Sequence, residues 1–336
     1  MKRAIALGVL CAGLLAGCAG MPPGPTTLPA VPATAVGAAP VPMPARTPPA
    51  AADADAGARL DAVPRIAIVS AFEPELVLLR ERLAQPVVHR VHGVEFTTGL
   101  LQGRPVVLFL SGISMTNAAM NTQRALDRFA VTHLVFSGIA GGVDPTLHIG
   151  DVAVPAQWGS YLESLFARET APGRFTAPRT SKDAGFANFG MIHPRAVQVR
   201  SAHGAETRFW FEVDPGMLAA ARGLQDVELA GCDRAGRCLG SRPRLVVGGN
   251  GVSGAAFVDN AEFRRHAFAT FAARVLDMET AAVGQVAWSN GVPFIAFRSL
   301  SDLAGGGAGE NEMRAFMGLA ADNSARVLLA FLAAWR

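Results

Sequence analysis

Between Ala273 and Asp302 the chain reads as strand, helix, strand. Ala273–Met278 is an apolar run that ends at a carboxylate, Glu279. Thr280–Ser289 then places Ala282, Val283, Val286 and Ala287 at helical spacing. Asn290-Gly291 is a helix stop, because glycine tolerates the left-handed cap. Pro293 opens a second apolar run, Phe294–Phe297, which reads as a buried strand whose first residue need not donate a hydrogen bond. Arg298 and Ser301-Asp302 follow. An acid therefore lies just past each strand end. In open α/β sheets that edge is where ligands bind. Two carboxylates brought together from separate strand ends suit acid–base chemistry.

The same alternation runs upstream. Arg65–Ser70 reads as a buried strand, and Pro74 suits the first turn of a helix whose apolar face is Leu76, Leu79 and Leu83. Val94–Leu101 and Pro105–Leu110 read as strands joined by a turn at Gln102-Gly103-Arg104. Ser111–Asn117 links a strand to the helix Ala118–Phe129, and its small residues allow a ligand close to a helix N-terminus. A strand at His133–Ser137 runs into Gly138-Ile139-Ala140-Gly141-Gly142, and another lies near Val152–Pro155. Order resumes at Leu245–Gly248 with a helix at Glu262–Phe271 and a last helix over Glu310–Trp335. The middle, about 156–242, is rich in glycine, proline, arginine and aromatics and reads as an irregular insertion that could cover the site. No internal repeat is present. The alternation implies a three-layer α/β/α sandwich with a central mixed sheet, in one domain over 64–336.

Half of the 336 residues are hydrophobic, ample for such a core. The net charge of +3 is scattered, with no basic run interleaved with aromatics, so nucleic acid is not an expected partner. The seven histidines show no metal-ligand spacing, and neither a metal nor a cofactor is expected. At the N-terminus Lys2-Arg3 precedes the apolar run Ala4–Ala16, too short to span a bilayer. Leu15-Ala16-Gly17-Cys18 resembles a bacterial lipobox. That resemblance implies a signal peptide over 1–17 and lipid on Cys18; a plain secretory signal is the alternative. Ala19 after the cysteine resembles the outer-membrane sorting pattern, which implies a lipid-anchored envelope protein facing the periplasm. Residues 18–63 are alanine- and proline-rich, and Arg46 is the only charge before Asp53, the composition of a disordered tether. Cys232 and Cys238 close a short loop that favours a disulfide in an oxidising compartment. A zinc site would need further ligands nearby.

Six blocks taken in order resemble one family. They are Ile66–Leu83 with Glu73-Pro74-Glu75, Ser111-Gly112-Ile113, Gly138–Asp151, Gly254–Val258, Asp277-Met278-Glu279 and Arg298–Asp302. Together they resemble the nucleoside phosphorylase superfamily, and within it the methylthioadenosine/S-adenosylhomocysteine nucleosidases. The likeness covers about 65–155 and 245–335 and skips most of the middle. It implies the nucleoside phosphorylase-like fold, a homodimer, and hydrolysis of the N-glycosidic bond of a purine nucleoside. Asp302 falls at the general acid that protonates N7 of the base, and Glu75 at the carboxylate that activates water. Glu279 matches the residue that grips the ribose hydroxyls, both of which a carboxylate can accept from. Met278 matches the sugar-packing position and Phe257 the purine-stacking one, while the Val258 backbone reads the base edge. Ser111, Arg298 and Ser301 line the same pocket by position.

The departures bear on the chemistry. The hexameric phosphorylases of the superfamily hold phosphate with an arginine and a serine where this chain has Phe136 and Ile139, which favours water as the nucleophile. Ala255 stands where the nucleosidase pattern has an acid, and the long middle covers the region that shapes the 5′ side of the pocket. The blocks around Ser114–Asn117 and Trp158 also resemble the secreted plant storage proteins of the superfamily. Two alternatives follow: a phosphate-dependent phosphorylase, and a nucleoside-binding or storage protein without turnover. Intact Glu75, Glu279 and Asp302 argue against the second.

Overall fold

Ile66–Ser70 has no solvent-facing side, so an unbroken apolar run encodes it rather than an alternating one. In the computed structural model, which describes residues 58–178 and 185–335, this run completes β1 (Asp61–Ser70) and leads into α1 (Glu73–Glu81). An antiparallel meander follows: β2 (Ala84–Val91), β3 (Val94–Leu101) and β4 (Arg104–Leu110). Its two turns, His92-Gly93 and Gln102-Gly103, hold both residues at positive φ, and a glycine stands second in each. α2 (Met115–Arg128) returns the chain to β5 (Phe129–Gly142). Then come β6 (Val152–Val154), β7 (Gln157–Ser160), β8 (Ser164–Phe166), β9 (Arg168–Ala171) and β10 (Arg174–Thr176). The middle continues through β11 (Ile192–Pro194), β12 (Val197–Ser201), β13 (Gly204–Arg208), β14 (Trp210–Glu212) and α3 (Pro215–Arg222). The last third is β15 (Leu245–Val247), β16 (Asn250–Ser253), α4 (Ala261–Phe271), β17 (Ala273–Asp277), α5 (Thr280–Ser289), β18 (Phe294–Asp302) and α6 (Met313–Ala334).

Twelve of these strands make one mixed sheet. β1 lies between β4 and β5 and is parallel to both. β5 carries β18 in parallel on its other edge, and its last residues, Gly141 and Gly142, pair antiparallel with Leu276 and Val275 of β17. The sheet branches there, at a glycine-rich strand end. On the helical layers, α1 packs with α6, and α2 with α5. The result is the α/β/α sandwich with a central mixed sheet read from the sequence.

Three expectations are corrected. The strand from Phe294 does not stop at Phe297 but runs to Asp302, buried at all nine residues, because Arg298 is matched by acids inside the fold. Asp302 is the last strand residue rather than a residue past the strand. The middle is not wholly irregular: β7 and β14 join the main sheet, β9–β10 and β12–β13 form hairpins, and β8 pairs antiparallel with β11. Nor does the middle line the site described below. Its Tyr161, Phe186, Phe209 and Trp210 pack with Val252, Val258, Phe271 and Leu276 in a second core cluster. The proposed leader, the lipid site Cys18 and most of the tether lie outside the described residues.

Candidate active site

Strand ends converge on a cavity of about 220 Å³. β1 and α1 bring Phe72 and Glu75 to it, and β5 brings Ile139–Gly141. β17 ends in Asp277, and Met278 and Glu279 follow it; β18 contributes Ser301 and Asp302. The loop after β16 supplies Ala256–Val258, and α6 supplies Met313. Four of the lining residues are acids and none is a cation.

Glu75 sits in the first turn of α1 but is no solvated helix-start acid; it is 1% exposed. Its Oε2 accepts from the backbone N–H of Ala71 at 2.6 Å, and its Oε1 from that of Ile139 at 2.8 Å. Burial pushes its carboxyl above the ordinary value, against the pull of Arg298 and these amides. Glu279 precedes α5, and its Oε1 accepts from the Ser114 N–H at 2.8 Å. Burial pushes it up to about 7, opposed by Arg298 and reinforced by Asp277 and Glu75. Asp302 ends β18 and accepts from Ala304 N–H at 2.8 Å, Ser301 Oγ at 2.9 Å and Asn311 Nδ2 at 3.4 Å. Burial raises it too, with those hydrogen bonds opposing and the charge of Glu312 adding to the rise.

Beneath the cavity lies Arg298, 0% exposed. Its Nε meets Asp277 Oδ2 at 2.8 Å, while Nη1 lies 3.6 Å from Glu75 and Nη2 3.6 Å from Glu279. The guanidinium stacks 3.8 Å from the centre of the Phe136 ring. Gly138 is required above it, because a Cβ there would overlap Arg298 Nη1 and Glu75 Oε1. One cation thus organises three of the four cavity acids, while Asp302 stands apart from it.

The family model described as Phosphorylase superfamily matches residues 65–333. The chain belongs to the phosphorylase superfamily. Among its relatives, the 5′-methylthioadenosine/S-adenosylhomocysteine nucleosidase of Anoxybacillus flavithermus is 31% identical over 71% of this chain and 86% of its own length. That of Geobacillus kaustophilus is 30% identical over 80% and 96%. Among solved structures, the Colwellia psychrerythraea nucleosidase in complex with adenine has a TM-score of 0.60 at 26% identity, covering 81% of this chain and 95% of that one. The futalosine hydrolase of Helicobacter pylori, with a TM-score of 0.59 at 22% identity over 80% and 97%, shares the fold.

Within this superfamily frame, most of the residues singled out from the sequence meet. Glu75, Phe257, Val258, Met278, Glu279, Ser301 and Asp302 all line the cavity. Phe257 is 55% exposed at the mouth, open to a planar ligand, and Val258 is buried behind it. Ser111 and Arg298 do not line it. Ser111 is buried with its hydroxyl donating to Gly112 O, so Ile113, two residues on, forms that wall. Arg298 reaches the cavity only through the acids it holds. Ser301 turns its hydroxyl to Asp302.

Sequence reasoning missed Asp277, Asn311, Ile113, Ile139 and Met313. Asp277 was visible as an acid closing an apolar strand, beside the Glu279 that drew attention instead. Asn311 carried no signal. The sulfur atoms of Cys232 and Cys238 are at bonding distance, away from the cavity, in a loop whose Arg234 pairs with Glu81 and Asp322. A larger groove of about 670 Å³ between β12–β13 and α5 holds Arg208, already paired with Glu206 and Glu212.

Proposed function

We propose that this chain hydrolyses the N-glycosidic bond of a purine nucleoside of the methylthioadenosine or S-adenosylhomocysteine type and releases the free base. One observation carries the choice of water over phosphate: the cavity is lined by acids without a cation, and the arginine beneath it is shared among three of them. A phosphate dianion would enter that field against like charge. Phe136, where a phosphorylase would place its arginine, is the ring under Arg298.

The chemistry divides among the acids. Asp302, protonated, donates to N7 of the purine as the C1′–N9 bond breaks and its electron pair passes to the base. Glu75, ionised, takes a proton from the water whose oxygen bonds to C1′. Glu279 accepts from the ribose hydroxyls, which fixes the sugar as it acquires oxocarbenium character. Phe257 stacks on the base at the mouth. The relatives named nucleosidase support this reading. Release of adenine from methylthioadenosine, measured with and without phosphate, tests it: equal rates are expected, and strict phosphate dependence would sink the hydrolase. Tight binding without release over hours would support the storage-protein alternative.

The envelope placement belongs to the same proposal. Cleavage before Cys18, lipid on that cysteine and the 18–63 tether would hold the 64–336 domain in the periplasm, at the outer membrane, with Cys232–Cys238 oxidised. Composition and the lipobox-like stretch support this. Cys18→Ala should move the protein from the membrane to the soluble fraction. A homodimer is proposed as well, supported by exposed Ile113 just ahead of α2 and Met120 within it. Light scattering reading a monomer at micromolar concentration would exclude it.

A further inference from the structure

One cation, Arg298, faces three carboxylates, and it does not divide itself evenly among them. Its contact with Asp277 is 2.8 Å, while those with Glu75 and Glu279 are both 3.6 Å. Asp277 is itself surrounded by donors. Its Oδ1 accepts from Ser253 Oγ and from the N–H groups of Glu279 and Thr280; its Oδ2 accepts from Thr280 Oγ1 and forms the ion pair with Arg298. Thr280 Oγ1 in turn accepts from Arg298 Nε at 2.8 Å. Both oxygens of Asp277 act only as acceptors, as a carboxylate's must. On the far side of the guanidinium, Nη2 is buried without a hydrogen-bond partner, although Glu279 is the acid nearest to it.

We propose that Asp277 is a positioning residue which draws Arg298 toward itself, so that Glu75 and Glu279 face the substrate as carboxylates only partly neutralised. This rests on the hydrolytic reading of the site. A base fully paired with arginine would be a poor proton acceptor, whereas one held 3.6 Å away keeps its basicity. The raised Glu75 and Glu279 fit this arrangement. The charged and titratable groups facing the cluster are Glu75 from α1, Glu279 ahead of α5, Arg298 from β18 and Tyr161 after β7, whose hydroxyl Asp277 helps push up. Asp302 lines the same cavity but shares no partner with Asp277.

The sign follows from charge. Replacing Asp277 by a neutral isostere removes a negative charge near Glu279 and frees Arg298 for Glu75 and Glu279. Both should then lose their protons at lower pH. The test is the pH dependence of kcat/KM for methylthioadenosine and, by calorimetry, of nucleoside binding, on the full chain, Asp277→Asn and Ser253→Ala. The acid limb should move down by about one pH unit in Asp277→Asn, and stay or rise slightly in Ser253→Ala, which keeps the Asp277 charge and removes only a donor to it, while the basic limb set by Asp302 stays in place. An acid limb that stays or rises in Asp277→Asn, with activity lowered, overturns the proposal and leaves Asp277 a cap for α5. If Asp277→Asn does not fold, Ser253→Ala decides: an acid limb that moves down there overturns the proposal. If the wild type binds the nucleoside without releasing base, the hydrolytic reading fails, and the acid limb of binding, where Glu279 titrates, decides the role of Asp277. A wild type that neither binds nor cleaves overturns both.

Discussion

The two ends of the cavity use the same functional group in opposite settings. At one end Glu75 has a buried arginine 3.6 Å away and two backbone amides donating to it. At the other, Asp302 has only a hydroxyl, an amide and a side-chain amide as donors, with the acid Glu312 in its field. Burial raises both carboxyls. A nearby cation limits that rise for Glu75, and nothing comparable does so for Asp302. In the proposed hydrolysis the cation decides the roles: the acid without one would hold a proton for the leaving base, and the acid with one would be available to take a proton from water.

Asp302→Asn strikes the end without a cation and should cost most. Turnover should fall by about 10²–10⁴ while nucleoside affinity changes little, because a neutral amide replaces a neutral acid. The basic limb of the pH profile should vanish with it. Turnover near the wild-type rate would remove Asp302 from the mechanism. Glu75→Gln strikes the other end. A loss of about 10²–10³ is expected, smaller because the oxocarbenium-like sugar reacts readily with unassisted water. Here the acid limb should change and the basic limb remain. Loss of the basic limb instead would reverse the two roles.

Glu279 lies between these settings, near the cation yet pushed up to about 7 from 4.5. Glu279→Gln should raise KM by about 10–100-fold through the weakened grip on the ribose hydroxyls, with a smaller effect on kcat. It should also alter stability. A carboxyl that binds its proton more tightly folded than unfolded contributes its full stability below about pH 4.5 and loses it as pH rises through about 7. The loss is at most about 3 kcal/mol by pH 8. In the absence of ligand, the Tm of the wild type should fall between pH 5 and 8 more steeply than that of Glu279→Gln. Parallel curves would show that Glu279 ionises freely in the folded chain.

The contrast between legible and illegible regions has a physical basis. The β17–α5–β18 unit announced itself because helix and strand periods leave different apolar patterns, and because parallel strands buried on both faces are unbroken runs. The acids at its strand ends were visible for the same reason. What periodicity cannot show is how charge is shared inside the fold. Arg298 looked like a pocket residue, yet its three acids come from β17, the start of α5 and the distant α1. Ser111 was lost to a local choice, a hydroxyl turned to the next carbonyl. The middle was opaque because β8–β13 are only three to five residues long and mostly exposed, too short for an apolar pattern to form.

That middle region touches the site at one remove, and there the smallest effect is expected. Tyr161 lies just past β7, buried, with its hydroxyl donating to Ala256 O at 3.2 Å. Its ring fills the space beside Gly254, where a Cβ would overlap it. Tyr161 thereby fixes both sides of the short loop that presents Phe257 and Val258 to the cavity. Burial and the charge of Asp277 push its phenol up, so it remains a donor across the working pH range. Tyr161→Phe keeps the ring and removes one hydrogen bond, worth about 0.5–1.5 kcal/mol. KM should rise by about 2–10-fold with kcat and both pH limbs unchanged, since the acids at either end of the cavity keep their partners. A shift in either limb would show that the loop and the acid cluster are electrostatically joined, and that the middle region does more than hold the wall against which the base stacks.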